Sequence, residues 1–94
     1  MTNNVSRLPT GETIEVESNT GPDSYSSGGF EVTSDTGRVD EVTVTCDSAD
    51  YEARVADVTE NIVTVEVYAQ DGSGEVTGGT DLSAVSFTHQ AYRL

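Results

Sequence analysis

A two-residue alternation of apolar and polar side chains, broken about every ten residues by turn signals, most constrains how this chain can fold. The clearest run is Ile62–Ala69, in which Val63, Val65 and Val67 share one phase. Because successive side chains of a strand point to opposite faces, this run predicts a strand with a buried face. Ile62 and Tyr68 place apolar groups on the other face as well, so we predict that this strand is central.

Shorter alternating runs predict further strands, each bounded by residues that favour turns. They cover residues 12–18, 30–32, 38–46, 51–55 and 85–91, and Val76 is a candidate for one more short strand. Residues 18–29, 34–37, 47–50, 57–61 and 70–75 are predicted turns. In the run 38–46, Val39 is out of phase with Val42 and Val44. Either a bulge lies near Asp40 and Glu41, or that strand starts late.

These six or seven short strands predict an all-β fold, a small antiparallel β-sandwich or barrel, over residues 12–94. Residues 1–11 are polar and contain Pro9 and Gly11, and we predict that they form a flexible or partner-docked arm. In the first run, Ile14 and Val16 are expected to face the core while Glu15 and Glu17 face solvent. The predicted core consists of Phe30, Val44, Val55, Val65, Val67 and Phe87.

The charge balance predicts the solvent in which the chain works. It has 17 acidic residues against 4 basic ones, all of them arginine, and a net charge of -13. Such a charge repels itself at low salt, whereas molar salt shortens the screening length to about 3 Å. The composition therefore favours a protein adapted to high salt, and an ordinary acidic domain is the alternative.

The same charge argues against several partners. No basic patch exists that could neutralise phosphates, so we expect no nucleic-acid binding and no attraction to anionic membranes. No stretch approaches the roughly 20 apolar residues that span a bilayer. The first dozen residues lack an apolar signal region, so we expect synthesis in the cytoplasm without Sec export. The single Cys46 forms neither an internal disulfide nor a metal motif.

Candidate catalytic residues are few, and we predict that the chain is not an enzyme and needs no cofactor. Nucleophilic catalysis requires a nucleophile, a base and an orienting group together. The only imidazole, His89, is in phase with Phe87 and Ala91, which favours a partly buried or edge histidine over a general base. Cys46 is in phase with Val42 and Val44, as expected for a small buried apolar residue.

Two other features allow a binding role. Asp71, Ser73 and Glu75 weakly resemble a calcium loop, although turn chemistry also explains them. Tyr68 and Tyr92 lie on the face opposite the predicted core of their strands. Exposed aromatic side chains can anchor an interface or stack on sugars, and they are also ordinary strand residues.

From about Gly29 to Leu94 the chain resembles small β-rich structural proteins of tailed viruses that infect halophilic archaea. The resemblance rests on "GGFEVTSDTGRVDEVTVT" and on "DYEARVADVTENIVTVEVYAQDGSGEVTGGTDLSAVSFTHQAYRL". In such proteins a Thr-Gly turn precedes a short strand, and a closing strand follows a "GTDLS" segment. Here Arg38 follows Thr36 and Gly37 where an apolar residue is common.

The resemblance implies a virion component, most simply a capsid decoration or cementing protein that binds the major capsid protein. It also implies a homo-oligomer, with a trimer favoured. A tail or head–tail connector component and a carbohydrate-binding surface module are the alternatives. We expect contacts with virion proteins at the two ends of the chain and at the exposed tyrosines. The candidates are Arg7, Leu8, Pro9, Tyr68, Tyr92, Arg93 and Leu94.

Overall fold

The structure, a computed structural model, describes the main chain of residues 2–7 and both main chain and side chains of residues 11–94. This part of the chain contains no helix. Its strands are β1 (Thr2–Arg7), β2 (Thr13–Thr20), β3 (Phe30–Thr33), β4 (Glu41–Cys46), β5 (Tyr51–Thr59), β6 (Ile62–Ala69), β7 (Gly74–Glu75) and β8 (Ser86–Arg93).

The strands form two antiparallel sheets that pack as a small sandwich. The first sheet has the order β1-β2-β8-β4, and the second has the order β3-β6-β5, with β7 paired to the end of β6. The predicted all-β fold is therefore confirmed, and of the two predicted architectures the structure has the sandwich. β6 occupies the predicted centre of its sheet, where Val63, Val65 and Val67 are fully buried.

Two adjoining apolar clusters fill the space between the sheets. One contains Tyr25, Val67, Val76, Leu82 and Phe87, and the other contains Val32, Val39, Val63, Val65 and Ala91. The ring of Phe30 meets that of Phe87 edge-on, with centroids 5.2 Å apart. Edge-to-face packing of this kind adds about 0.5–1.5 kcal/mol beyond the burial of area.

Residues from loops complete the core, because segments 21–29 and 76–82 cross each other. The N–H of Leu82 donates to the carbonyl of Pro22, and the N–H of Gly79 donates to that of Tyr25. The Tyr25 hydroxyl donates to Glu75 at 2.6 Å and accepts the N–H of Val67 at 3.0 Å. The predicted turn 18–29 thus has a fully buried anchor in Tyr25.

Three predictions about strands need correction or completion. β5 continues through Thr59, so the predicted turn over 57–61 shrinks to Glu60 and Asn61. β4 starts late, at Glu41, which settles the alternative left open at Asp40 and Glu41. Thr2–Arg7, within the predicted arm, pairs with β2 as an edge strand. Whether this segment moves or binds a partner stays a prediction.

The predicted core residue Val55 is exposed, and the prediction was wrong. The register of β5 against β6 shifts between Val55 and Asp57, so Ala56 is a bulge. β5 is also the end strand of its sheet, and residues 54–60 are exposed. A bulge twists an edge strand away from the body of the sheet. Val55 and Val58 therefore each remain 38% exposed.

Candidate functional site

The sandwich encloses a buried polar cluster, which consists of Glu15, His89, Ser34 and Thr36. β2 supplies Glu15, β8 supplies His89, and the loop between β3 and β4 supplies the two hydroxyl residues. All four side chains are at most 5% exposed. Sequence reasoning found only His89, because it expected acidic residues to face solvent.

The hydrogen bond between His89 and Glu15 at the centre of this cluster joins two neighbouring strands. Nε2 of His89 donates to Oε1 of Glu15 at 2.7 Å, and the other carboxylate oxygen accepts the N–H of Asp35 at 2.8 Å. Burial raises the pKa of Glu15. The bonds from His89 and Asp35 outweigh that effect and hold the pKa below its ordinary value of 4.5. Glu15 is therefore a carboxylate at neutral pH, and His89 keeps its hydrogen on Nε2.

The predicted solvent face of β2 is thus the inner face, and that prediction was wrong. Glu15 and Glu17 point inward and are buried, whereas Ile14 and Val16 are only half-buried on the outer face. The alternation along β2 was predicted correctly, but the face predicted to point outward points inward. The buried histidine 74 positions away and the main chain of Asp35 provide the partners that a buried carboxylate requires.

The polar cluster also ties the two sheets together. The hydroxyls of Ser34 and Thr36 lie 2.9 Å apart, and the N–H of Ser34 donates to the carbonyl of Asn61 in the β5–β6 turn. The guanidinium of Arg93 donates to the carbonyl of Thr36 at 3.1 Å. The cluster thus fixes the loop of residues 34–40 between the end of β8 and the tip of the β5–β6 hairpin.

Among the described residues, Glu15 of this cluster and its neighbours Glu17 and Asp35 are best placed to hold a metal ion. Carboxylate oxygens of Glu15, Glu17 and Asp35 lie within 4.8 Å of one another. Oxygen ligands of this kind suit a hard cation such as Ca²⁺. However, both oxygens of Glu15 already accept hydrogen bonds, and Glu17 accepts one from Asn19 at 3.1 Å. A cation would compete with these donors, so the geometry favours a structural polar cluster.

The weak calcium candidates each have another partner. The carboxylate of Asp71 accepts the N–H of Ser73, which closes a local turn, and the Ser73 hydroxyl together with this N–H lowers the pKa of Asp71. Glu75 accepts bonds from the Tyr25 hydroxyl and from the N–H of Gly28. Burial and the Glu75 carboxylate raise the pKa of Tyr25 to about 12. Glu75 is thus a clamp on the loop that carries Tyr25.

The exposed-face tyrosines are half-buried and differ in their surroundings. The guanidinium of Arg54 lies 3.9 Å from the ring centroid of Tyr68, a cation–π contact that covers one face of that ring. The Tyr92 hydroxyl donates to Gln90 at 3.4 Å on the outer face of the first sheet. Cys46 is half-buried, and burial raises the pKa of its thiol.

Two of the candidate contact residues, Arg7 and Arg93, lie at the same end of the first sheet. Arg7 lies opposite Thr13, and Thr13 lies opposite Arg93, so three neighbouring strands align there. The N–H of Leu94 donates to Asp40 at 2.7 Å, while the Leu94 side chain is 67% exposed. Only the main chain of Arg7 is described, and Leu8 and Pro9 lie outside the described residues.

Comparisons with protein-family models, with curated proteins and with solved structures found no match for this chain. Within the described residues there is no helical segment with the length and hydropathy that crossing a bilayer requires.

Proposed function

We propose that the chain is a non-enzymatic structural protein of a virus particle, a capsid decoration or cementing subunit that binds the major capsid protein in high salt. The observation that carries the proposal is that the last residue of β1 and the last residue of β8 lie together at one end of the first sheet. Arg7, Arg93 and the exposed Leu94 are close together there in a chain whose four cations are all arginine. The sequence resemblance supports the same assignment.

A subunit that docks end-on needs a stiff body and a defined contact surface. The hydrogen bond from His89 to Glu15 and the hydrogen bond from Arg93 to the Thr36 carbonyl hold the docking end in one conformation. A preorganised surface binds with a smaller entropic cost than a disordered one. Arginine is also the cation best suited to paired recognition of carboxylates, which an acidic capsid surface would present.

Cosedimentation tests the proposal. Shells assembled in about 3 M KCl from the major capsid protein of the proposed virus should pellet the chain with them. Leu94→Asp should weaken pelleting about tenfold or more, because it adds a charge at the apolar tip. Ser73→Asp, at the opposite end of the sandwich, is the matched control and should pellet like the wild type. No pelleting of the wild type would remove the proposal.

The alternatives predict other locations. A tail or head–tail connector component would appear by cryo-electron microscopy at the tail or portal and leave the capsid lattice bare. A carbohydrate-binding module would stack a sugar on an exposed aromatic face. Because the Arg54 guanidinium already covers one face of Tyr68, that ring offers less stacking surface than the sequence indicates.

Adaptation to high salt makes a separate prediction about stability. We expect the melting temperature to rise by about 10 °C or more between about 0.1 M and 3 M KCl, because screening weakens the repulsion among 17 acidic residues. Most of this rise should occur below about 1 M, where the screening length has already fallen to about 3 Å. A melting temperature that does not rise would contradict the adaptation.

A further inference from the structure

No described strand is hydrogen-bonded to the outer edge of β5 between Tyr51 and Val55, although β4 of the other sheet packs close to it. β5 ends the second sheet, and no ladder joins it to β4. An open groove of about 340 Å³ runs beside this edge, lined in part by Val44, Tyr51, Glu52 and Ala53. An uncovered edge is a template for pairing with another strand.

The main chain of Ala53 points its hydrogen-bonding groups toward this open edge. Ala53 lies opposite Val67 in the ladder of β5 and β6. The N–H of Val67 donates to the Tyr25 hydroxyl, and its carbonyl accepts from Val76, so both groups point away from β5. Ala53 and Val67 are therefore a non-hydrogen-bonded pair, and the N–H and carbonyl of Ala53 face outward.

The same alternation applies to the residues two positions away. Tyr51 lies opposite Ala69, and Val55 lies opposite Val65. Their main-chain groups also face outward, and the side-chain amide of Gln70 donates to the Tyr51 carbonyl at 3.3 Å. That amide is exposed and can turn away when a strand approaches. Three residues at alternate positions, each with its main-chain N–H and carbonyl facing outward, are enough for a short antiparallel ladder.

We propose that two copies of this chain pair through the free edges of β5, antiparallel about a two-fold axis at Ala53. In this register Ala53 lies opposite Ala53 of the second copy, and about six main-chain hydrogen bonds form. The second sheets of the two copies then join into one continuous sheet. The bulge at Ala56 ends the ladder on each side.

The side chains complement each other on both faces in this register and in no adjacent one. Tyr51 lies opposite Val55 of the second copy, an aromatic and β-branched pair, on the face that includes Ala53. On the other face Glu52 lies opposite Arg54 of the second copy, and opposite charges in such positions stabilise a sheet. Moving the register by two residues would place Arg54 opposite Arg54, which is unfavourable.

The net charge of each copy predicts that pairing depends on salt concentration. Each copy carries a net charge of -13, so long-range repulsion opposes pairing at low salt. High salt removes most of that repulsion, while the adjacent strands keep Glu52 and Arg54 in contact range. The two-fold contact differs from the three-fold symmetry that the sequence resemblance implies, so a measured mass separates the two.

Sedimentation equilibrium in about 3 M KCl tests the pairing. The wild type should have twice the 9.9 kDa mass of one chain. Arg54→Glu and Glu52→Arg should each shift the mass to that of one chain, since each places like charges in opposition. The double variant Glu52→Arg/Arg54→Glu should recover the dimer. A wild-type mass of one or three chains, or an Arg54→Glu variant that stays dimeric, would overturn the proposal.

A disulfide cross-link gives a second readout that does not depend on affinity. Residues in a hydrogen-bonded antiparallel pair have Cα atoms about 5.5 Å apart, which a disulfide can bridge. In a Cys46→Ser background, Ala53→Cys should give a covalent dimer under mild oxidation. Val58→Cys, exposed on the same strand beyond the bulge, should not. Equal cross-linking of both variants would contradict the register. Capsid binding is measured separately, so failure of either proposal is distinguishable.

Discussion

Replacement of His89 by leucine is expected to lower the free energy of unfolding by about 3–5 kcal/mol, measured by urea denaturation in high salt. The variant leaves the carboxylate of Glu15 buried without the hydrogen-bond donor that His89 supplies. His89→Gln is the matched control, because its amide keeps an N–H donor near Nε2, and it should cost about 1–2 kcal/mol. Equal losses in the two variants would show that volume, and not the lost donor, decides the effect.

The contribution of the Glu15 carboxylate to the free energy of unfolding depends on pH. Hydrogen bonds hold its folded-state pKa below the ordinary 4.5, so the carboxylate stabilises the fold above pH 4.5. That contribution is lost as the pH falls through the folded-state pKa. The difference in unfolding free energy between the wild type and Glu15→Gln should therefore be largest at neutral pH and shrink below pH 4.5. A difference that grows on acidification would contradict a buried Glu15 carboxylate stabilised by its hydrogen bonds.

The second large effect concerns Gly21, at the entrance of the loop that carries Tyr25. A Cβ added there would lie 2.6 Å from the carbonyl oxygen of Leu82 and 2.8 Å from the ring of Phe87. Leu82 and Phe87 are both buried, and the Leu82 carbonyl belongs to the main chain. Neither group can therefore move away from the added Cβ without a large cost in free energy. We expect Gly21→Ala to cost about 3 kcal/mol or more, at the upper end of the range for overpacking.

Gly78→Ala is the control for this variant. Neither glycine has a positive φ, and the nearest atom to an added Cβ at Gly78 is the Tyr25 carbonyl oxygen at 3.7 Å, an ordinary contact. This variant should be neutral or stabilise by about 0.4–1 kcal/mol through the unfolded state. Thermal melts of both variants in the same buffer give the comparison. A Gly21→Ala variant as stable as the control would contradict the close packing of the two loops.

Local sequence patterns predicted most of the strands. Ile62–Ala69 was predicted with its observed bounds, because a long alternating run of valines leaves no other regular structure. β8 runs from Ser86 to Arg93, beyond the predicted Ala91, since pairing with β2 continues to Arg93. The ends of strands depend on partners, and partners are not visible in one local window.

The polar cluster could not be predicted from the sequence, for a related reason. Alternation along β2 defines two faces, but it does not show which one is inside. Glu15 is inward because His89 and the main chain of Asp35, both distant in sequence, satisfy its oxygens. The one available signal was the phase of His89 with Phe87 and Ala91, which predicted a partly buried or edge histidine, whereas the side chain is fully buried on an inner strand. The exposure of Val55 likewise depends on a bulge, and no residue type in β5 predicts that bulge.

The crossing of segments 21–25 and 77–82 has a practical consequence for protein engineering. Main-chain bonds link Tyr25 with Gly79 and Thr80 there, so an inserted peptide would pull apart the apolar end of the sandwich. The tight reversal at Gly72 is the contrasting place, since nothing lies within 4 Å of an added carbon. An affinity peptide or fluorophore spliced in at that reversal lies at the opposite end of the sandwich from Arg93 and Leu94.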